Sequence, residues 1–149
     1  MTSKRENILA DIKETIETII AGATYTNTIR TVTRSPIDYD ELPDDQLPLV
    51  IIDDIRNGTE NLIPYTTKDI NSLFELDLIV VYRANSNLST GVNSIIEDVK
   101  KAIYVDTSRN NNADMTHIVN VTSEKTEKKN TIIINFRISV DYVYPSDTP

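Results

Sequence analysis

Catalysis near neutral pH leans on histidine, cysteine or paired carboxylates, and this sequence holds few such groups. Its one histidine, His117, lies between Thr116 and Ile118 in a run that reads as a strand. A triad needs a nucleophile and an acid beside the ring. The sequence places neither, so His117 reads as an ordinary surface or edge residue. There is no cysteine, which removes disulfides, thiolate metal sites and thiol nucleophiles together. A zinc site would then rest on carboxylates, an unusual ligand set. The densest acidic run is DYDELPDD, Asp38 to Asp45. An EF-hand loop starting at Asp38 would need glycine sixth and glutamate twelfth. Those positions hold Pro43 and Leu49, so the run reads as a solvated acidic loop. Asp53 and Asp54 close a short apolar segment, where acidic residues are common in proteins of any function. No enzyme, metal or cofactor is expected.

The formal charge of −8 argues against nucleic-acid binding, which requires lysine and arginine to neutralise phosphates. Three glycines, none in a glycine-rich motif, leave no phosphate-cradling loop. No apolar run approaches eighteen residues, so no membrane span is expected. Carboxylates interrupt the N-terminal segment MTSKRENILADIKETIETII, which excludes a signal peptide. Cytoplasmic folding is therefore expected, and the sequons at Asn57, Asn87 and Asn120 carry no meaning.

The elements follow from periodicity. Ile8, Leu9, Ile12, Ile16, Ile19 and Ile20 fall at helical spacing in Arg5 to Ile20, with Ser3 as N-cap and Glu6 at capping-box distance. Residues 26–34 are threonine-rich and β-branched, hence a strand. Ser35 to Pro48 carries three prolines and five carboxylates, hence an exposed loop. LVIIDDI (49–55) reads as a short strand buried on both faces. Asn57 to Asn71 opens on an Asn-Gly turn and reads as a loop, Pro64 opposing a central strand. Residues 72–84 alternate as a long strand. Val92, Ile95, Ile96, Val99 and Ile103 stripe a second helix, 87–103, capped by Ser89 or Thr90. Residues 115–124 and 130–145 then form a hairpin around EKTEKKN. The order predicts an α+β fold: a mainly antiparallel sheet with two helices on one face and a long C-terminal hairpin. We expect one domain over 1–149, frayed at 1–4 and 146–149.

The last strand poses a question of size. Every second residue from Ile132 to Tyr144 is apolar, the mark of one buried face. At ~3.3 Å per residue the strand runs roughly 45 Å. A compact domain of this length is only about 35–40 Å across. An unpaired strand edge templates pairing with another chain, so a projecting hairpin completed by a neighbour is the expected resolution.

The layout resembles the tail terminator, or tail completion, proteins of long-tailed bacteriophages. The resemblance runs from the helix ENILADIKETIETII through the loop and strand DELPDDQLPLVIIDD. It continues through the alternating strand FELDLIVVYRA and the helix GVNSIIEDVKKAI to the closing strand TIIINFRISVDYVYP. Only the loop Asn57 to Asn71 lacks a counterpart. The resemblance implies a structural virion protein, assembled in the host cytoplasm and resident in the tail or neck. It implies a hexameric ring on the tail tube that stops its growth and offers a face to the head connector. The implied partners are further copies of the chain, the tube protein and a connector or neck protein. A neck or head-closure protein is the nearest alternative, and a cytoplasmic ligand-binding α+β domain the next. On this reading Ile133, Asn135, Arg137, Ser139, Asp141 and Val143, on the off-core face of the last strand, form the subunit interface. Lys125, Lys128 and Lys129 in the charged turn, and Asp38, Asp40, Glu41, Asp44 and Asp45 in the acidic loop, face different docking partners along the tail axis.

Overall fold

The computed structural model describes residues 3–35, 42–64 and 69–145. Helix α1 spans Lys4–Glu17 and α2 spans Leu88–Val105. The strands are β1 (Thr31–Thr33), β2 (Leu49–Asp53), β3 (Thr59–Pro64), β4 (Asp69–Arg83), β5 (Met115–Lys125) and β6 (Thr131–Pro145). A 3₁₀ turn, Asp44–Gln46, precedes β2.

The strands form one sheet in the order β1-β2-β4-β6-β5, with β3 also paired to β4. Only β1 and β2 run parallel. The expected α+β architecture is borne out. Both helices lie on one face, where Ile8, Leu9, Ile12, Ile16 and Ile19 meet Val92, Ile95, Val99 and Ile103. Beneath them sit Phe74, Leu76, Leu78 and Val80 of β4 and Ile134, Phe136, Ile138 and Val140 of β6. Strict alternation along β4 and β6 supplies that floor.

The C-terminal strand corrects one expectation. Every residue of β6 from Thr131 to Pro145 is in register with β4. Its other flank pairs with β5 from Ile132 to Asp141. No backbone edge of β6 is left for a neighbouring subunit along that stretch. Its length is answered inside the chain by β4, which is equally long, and β4's far flank pairs with β3 from Ile70 to Glu75 and with β2 from Asp77 to Val81. Within the hairpin the free edge, among the described residues, belongs to β5.

Other boundaries also moved. Residues 59–64, expected as loop, form edge strand β3, and Pro64 is tolerated because it closes the strand at the sheet's margin. Helix α1 stops at Glu17, where Thr18 N–H and hydroxyl both turn back onto Thr15 O. Ile20 therefore leaves the core and is 62% exposed. Ser3 does cap α1, its Oγ accepting from Glu6 N–H at 3.1 Å. The cap of α2 is Asn87 in the left-handed region at φ 52°, not Ser89 or Thr90; asparagine tolerates that conformation better than most residues.

Two buried charges lock the helices and their loops. Arg109, fully buried, donates to Ile103 O in the last turn of α2 and to Asp106 O just past its end. It also donates to Thr15 Oγ1 at 3.2 Å and faces Asp11 Oδ2 at 3.3 Å on α1. Burial pushes Arg109 below its ordinary value and Asp11 above its own, the Coulombic attraction of each for the other opposing both shifts. On the opposite side of the helix pair, the buried carboxylate of Asp98 accepts the Thr26 and Asn27 backbone N–H groups and the Asn27 side-chain amide. That contact ties the turn after α1 to α2.

Candidate interaction surface

Alternation puts Ile133, Asn135, Arg137, Ser139, Asp141 and Val143 on the sheet face away from the helices, as the sequence predicted. That face has three zones.

At the end marked by Arg83 and Thr131, an apolar cluster of Leu47, Leu49, Ile51 and Val81 is buried, with Leu42 and Ile79 packed against it. Residues 42–48 lie across it. Their anchor is Arg83, which pairs with Asp44 and donates from Nε to Thr131 Oγ1 at 2.9 Å. Asp44 is thus engaged within its own chain, though its side chain is 82% exposed. The turn bearing Lys125, Lys128 and Lys129 lies at this same end, since Ala84 N–H donates to Asn130 O. Arg83 therefore draws the basic turn and Asp44–Asp45 to one end of the sheet. Asp38, Asp40 and Glu41 lie outside the described residues.

The middle is polar. Arg137 donates to Glu75 Oε2 and Asp77 Oδ1, each at 3.1 Å, and to Asn57 O and Thr59 Oγ1. Asn135 adds a bond to Asp77 Oδ2. Burial works to lower the Arg137 pKa, but hydrogen bonds to Asp77 and Glu75 outweigh it and the net shift is upward. These residues line an open depression of about 610 Å³ with Gly58, Val119 and Asn120. Arg137, read from sequence as a contact for a neighbour, spends its donors on its own sheet.

The third zone is the opposite end. Ile63 of β3, Leu73 of β4, Asp141 of β6 and Asp114 just before β5 line a hollow of about 340 Å³. Ile63 in its wall and Met115, opposite Asp141 in the ladder, are exposed apolar side chains on this face.

The sheet's lateral margin completes the surface. Among the described residues no strand pairs with the outer edge of β5. A bulge between Ile118 and Asn120 leaves Val119 48% exposed on that margin. Tyr104 and Val105, at the end of α2, stand beside it, and Tyr104 Oη accepts the Ile118 N–H at 2.9 Å. Sequence reasoning missed Tyr104 and Val105 because they fall off the helical stripe, which was itself the available signal. His117 lies opposite Ser139 in register. Among the described residues no three His, Cys, Asp or Glu side chains converge as metal ligands, and no helix is long and apolar enough to cross a membrane.

No family model matches the chain, and no curated protein sequence does. Among solved structures, a chain from the virion of a native gene transfer agent particle is similar, at 8% identity and a TM-score of 0.46. The match covers 95% of this chain and 92% of that one. Likeness at this level fixes neither family nor function.

Proposed function

We propose that this chain is a structural virion protein of the tail terminator kind. On this reading copies of it form a ring, six being the number the resemblance implies, which caps the tail tube, ends its growth and offers a docking face to the head connector. The observation that carries the reading is the outer edge of β5. It is an eleven-residue strand with no partner on that side among the described residues, fringed by the exposed apolar side chains of Tyr104, Val105, Met115 and Val119. An open strand edge offers backbone donors and acceptors to another strand, and apolar neighbours add burial when it is covered. The opposite margin of the sheet offers a second open edge in β3, most of whose residues are exposed. Two unlike edges on one subunit support head-to-tail contact, which closes into a ring when the rotation per subunit permits. The interface expected along β6 thereby passes to β5, and the outward side chains of β6 become part of the face the ring would present.

The test is sizing by light scattering, alone and with purified tail tubes, followed by electron microscopy. A ring of uniform size bound at one tube end supports the reading. Binding to heads before tubes transfers it to a neck or head-closure protein. A monomer at all concentrations that binds neither ends it.

A further inference from the structure

Asparagine is a chemically labile residue, and the chain's one Asn-Gly step, Asn57–Gly58, stands in the turn between β2 and β3. Asn57 is exposed. Among the described residues the Gly58 N–H has no acceptor, so its nitrogen is not tied into a backbone ladder. The fold itself demands the glycine, because a Cβ at position 58 would stand 1.9 Å from Asp54 O. The asparagine is in use as well. Its Nδ2 donates to Asp53 Oδ2 at 3.2 Å, and its backbone O accepts from Arg137 Nη1. Asp53 is buried and also takes the Ile55 and Arg56 N–H groups on Oδ1. A labile dipeptide is therefore built into the turn that frames the central depression of the open face.

We propose that Asn57 is a site of spontaneous deamidation, which changes the charge of the open face as the protein ages. The Gly58 nitrogen attacks Asn57 Cγ. That N–C bond forms, the Cγ–Nδ2 bond breaks, and the amide proton leaves with the side-chain nitrogen as ammonia. Water then opens the cyclic imide at either carbonyl, its hydroxyl going to carbon and its hydrogen to the Gly58 nitrogen. Glycine favours the first step because it has no side chain to obstruct the approach. Opening at Cγ gives aspartate, which sets a carboxylate where Nδ2 met Asp53 Oδ2. A buried carboxylate then loses a donor and gains a like charge. Opening at the main-chain carbonyl gives isoaspartate, which adds one carbon to the backbone and displaces the oxygen that Arg137 holds. The bonds to Asp53 and Arg137 restrain the asparagine, so the reaction quickens when they are released. It needs no partner chain and stands or falls apart from ring formation.

The test is incubation of the folded chain at mildly alkaline pH, followed by peptide mapping in a mass spectrometer and labelling with isoaspartyl methyltransferase. Conversion at Asn57 at least tenfold faster than at any other asparagine, with ammonia released in step and a lower urea midpoint for the aged protein, supports the proposal. Asn57→Gln, whose longer side chain closes a less favourable ring, should release at least tenfold less ammonia, and its own urea transition reports that it is folded. Conversion in urea with none in the folded chain over the same period would show that the fold shields the step, and would overturn the proposal. Conversion centred on another asparagine, equal ammonia release from Asn57→Gln, or a converted protein as stable as the fresh one would overturn it too.

Discussion

Arg137 and Asp77 stand directly opposite one another on β6 and β4, joined by a bond of 3.1 Å from Nη1 to Oδ1. The pair sits at the centre of the open face, and Asp77 is only 8% exposed. Cross-strand pairs of opposite charge stabilise a sheet locally, and here Arg137 also satisfies Glu75 and the turn carbonyl of Asn57. Arg137→Ala should lower stability by about 1–3 kcal/mol, the cost of leaving a largely buried carboxylate without its charged donor. Urea denaturation measures this. A variant that unfolds like the wild type yet fails to assemble would return Arg137 to the role of an intermolecular contact.

Arg109 is the larger structural commitment. Its removal strips partners from Ile103 O, Asp106 O and Asp11 and empties a fully buried site. Arg109→Ala is expected to cost about 3–5 kcal/mol, as when one partner of a buried pair is lost. Arg109→Met, which keeps volume and drops charge, should fall between that variant and the wild type. Thermal unfolding of the two variants checks the order; a Met variant as stable as the wild type would mean the site is held by volume alone, and one no better than Ala that its charge and hydrogen bonds hold it.

These residues show what was legible in sequence. Period-two and helical patterns located α1, α2, β4, β5 and β6, because a buried face imposes its spacing on the chain. They also placed Arg137 and Asp141 on the outward face correctly. The pattern could not say which strand neighbours which, and the β6 edge was misread on that account. A strand's length reveals its own face but not whether an equally long partner, β4, lies beside it. Strand β3 was hidden because an edge strand with exposed side chains has no burial pattern to display. Arg109 was hidden for a different reason. It lies in a loop of polar residues, and only the run Arg109, Asn110, Asn111, all at positive φ, hinted that the backbone there folds tightly inward.

Acid titration should separate three carboxylates by sign. A hydrogen bond from Arg34 holds Glu6 below its ordinary 4.5, against a smaller desolvation. Asp106 is held below 3.8, first by the Ser108 hydroxyl and then by the Asn110 N–H. Both add stability above their ordinary values and lose it as pH falls through their lower folded values. Asp11, raised by burial, acts oppositely: the folded state takes up its proton first and gains relative stability on acidification. Between about pH 5 and pH 3, Glu6→Gln should flatten the decline in stability and Asp11→Asn should steepen it. Urea midpoints across that range read both slopes, and parallel curves for all three proteins would refute the assignment.

The basic turn offers a test of docking independent of folding. Lys125 and Lys129 are exposed at the end of the hairpin. Changing Lys125, Lys128 and Lys129 together to glutamate should leave the unfolding midpoint within experimental error, since exposed charges contribute little. Joining of tails to heads in an in vitro complementation assay should nonetheless fall sharply. Full infectivity of the triple variant would remove the turn from the docking surface.

The margin of β5 carries the most direct consequence of the fold. Charged residues on an exposed edge are how sheets discourage pairing with another chain; on β5 they stand only at Glu124 and Lys125, and the half from Met115 to Val119 exposes apolar side chains instead. Val119→Lys and Val105→Glu change side chains that are 48% and 77% exposed, so neither should unfold the protein. Each should weaken self-association at least tenfold, roughly 1.4 kcal/mol, by sedimentation velocity. Ile55→Lys, at 73% exposure away from this margin, should leave association unchanged. Tyr104→Phe works in the other direction. It removes the hydroxyl that accepts the Ile118 N–H and returns that donor to the open edge, where an incoming strand would satisfy it. Association should therefore strengthen in Tyr104→Phe while it weakens in Val119→Lys. If both variants associate as the wild type does and Ile55→Lys does not, the contact lies elsewhere on the molecule and β5 is merely an unprotected edge.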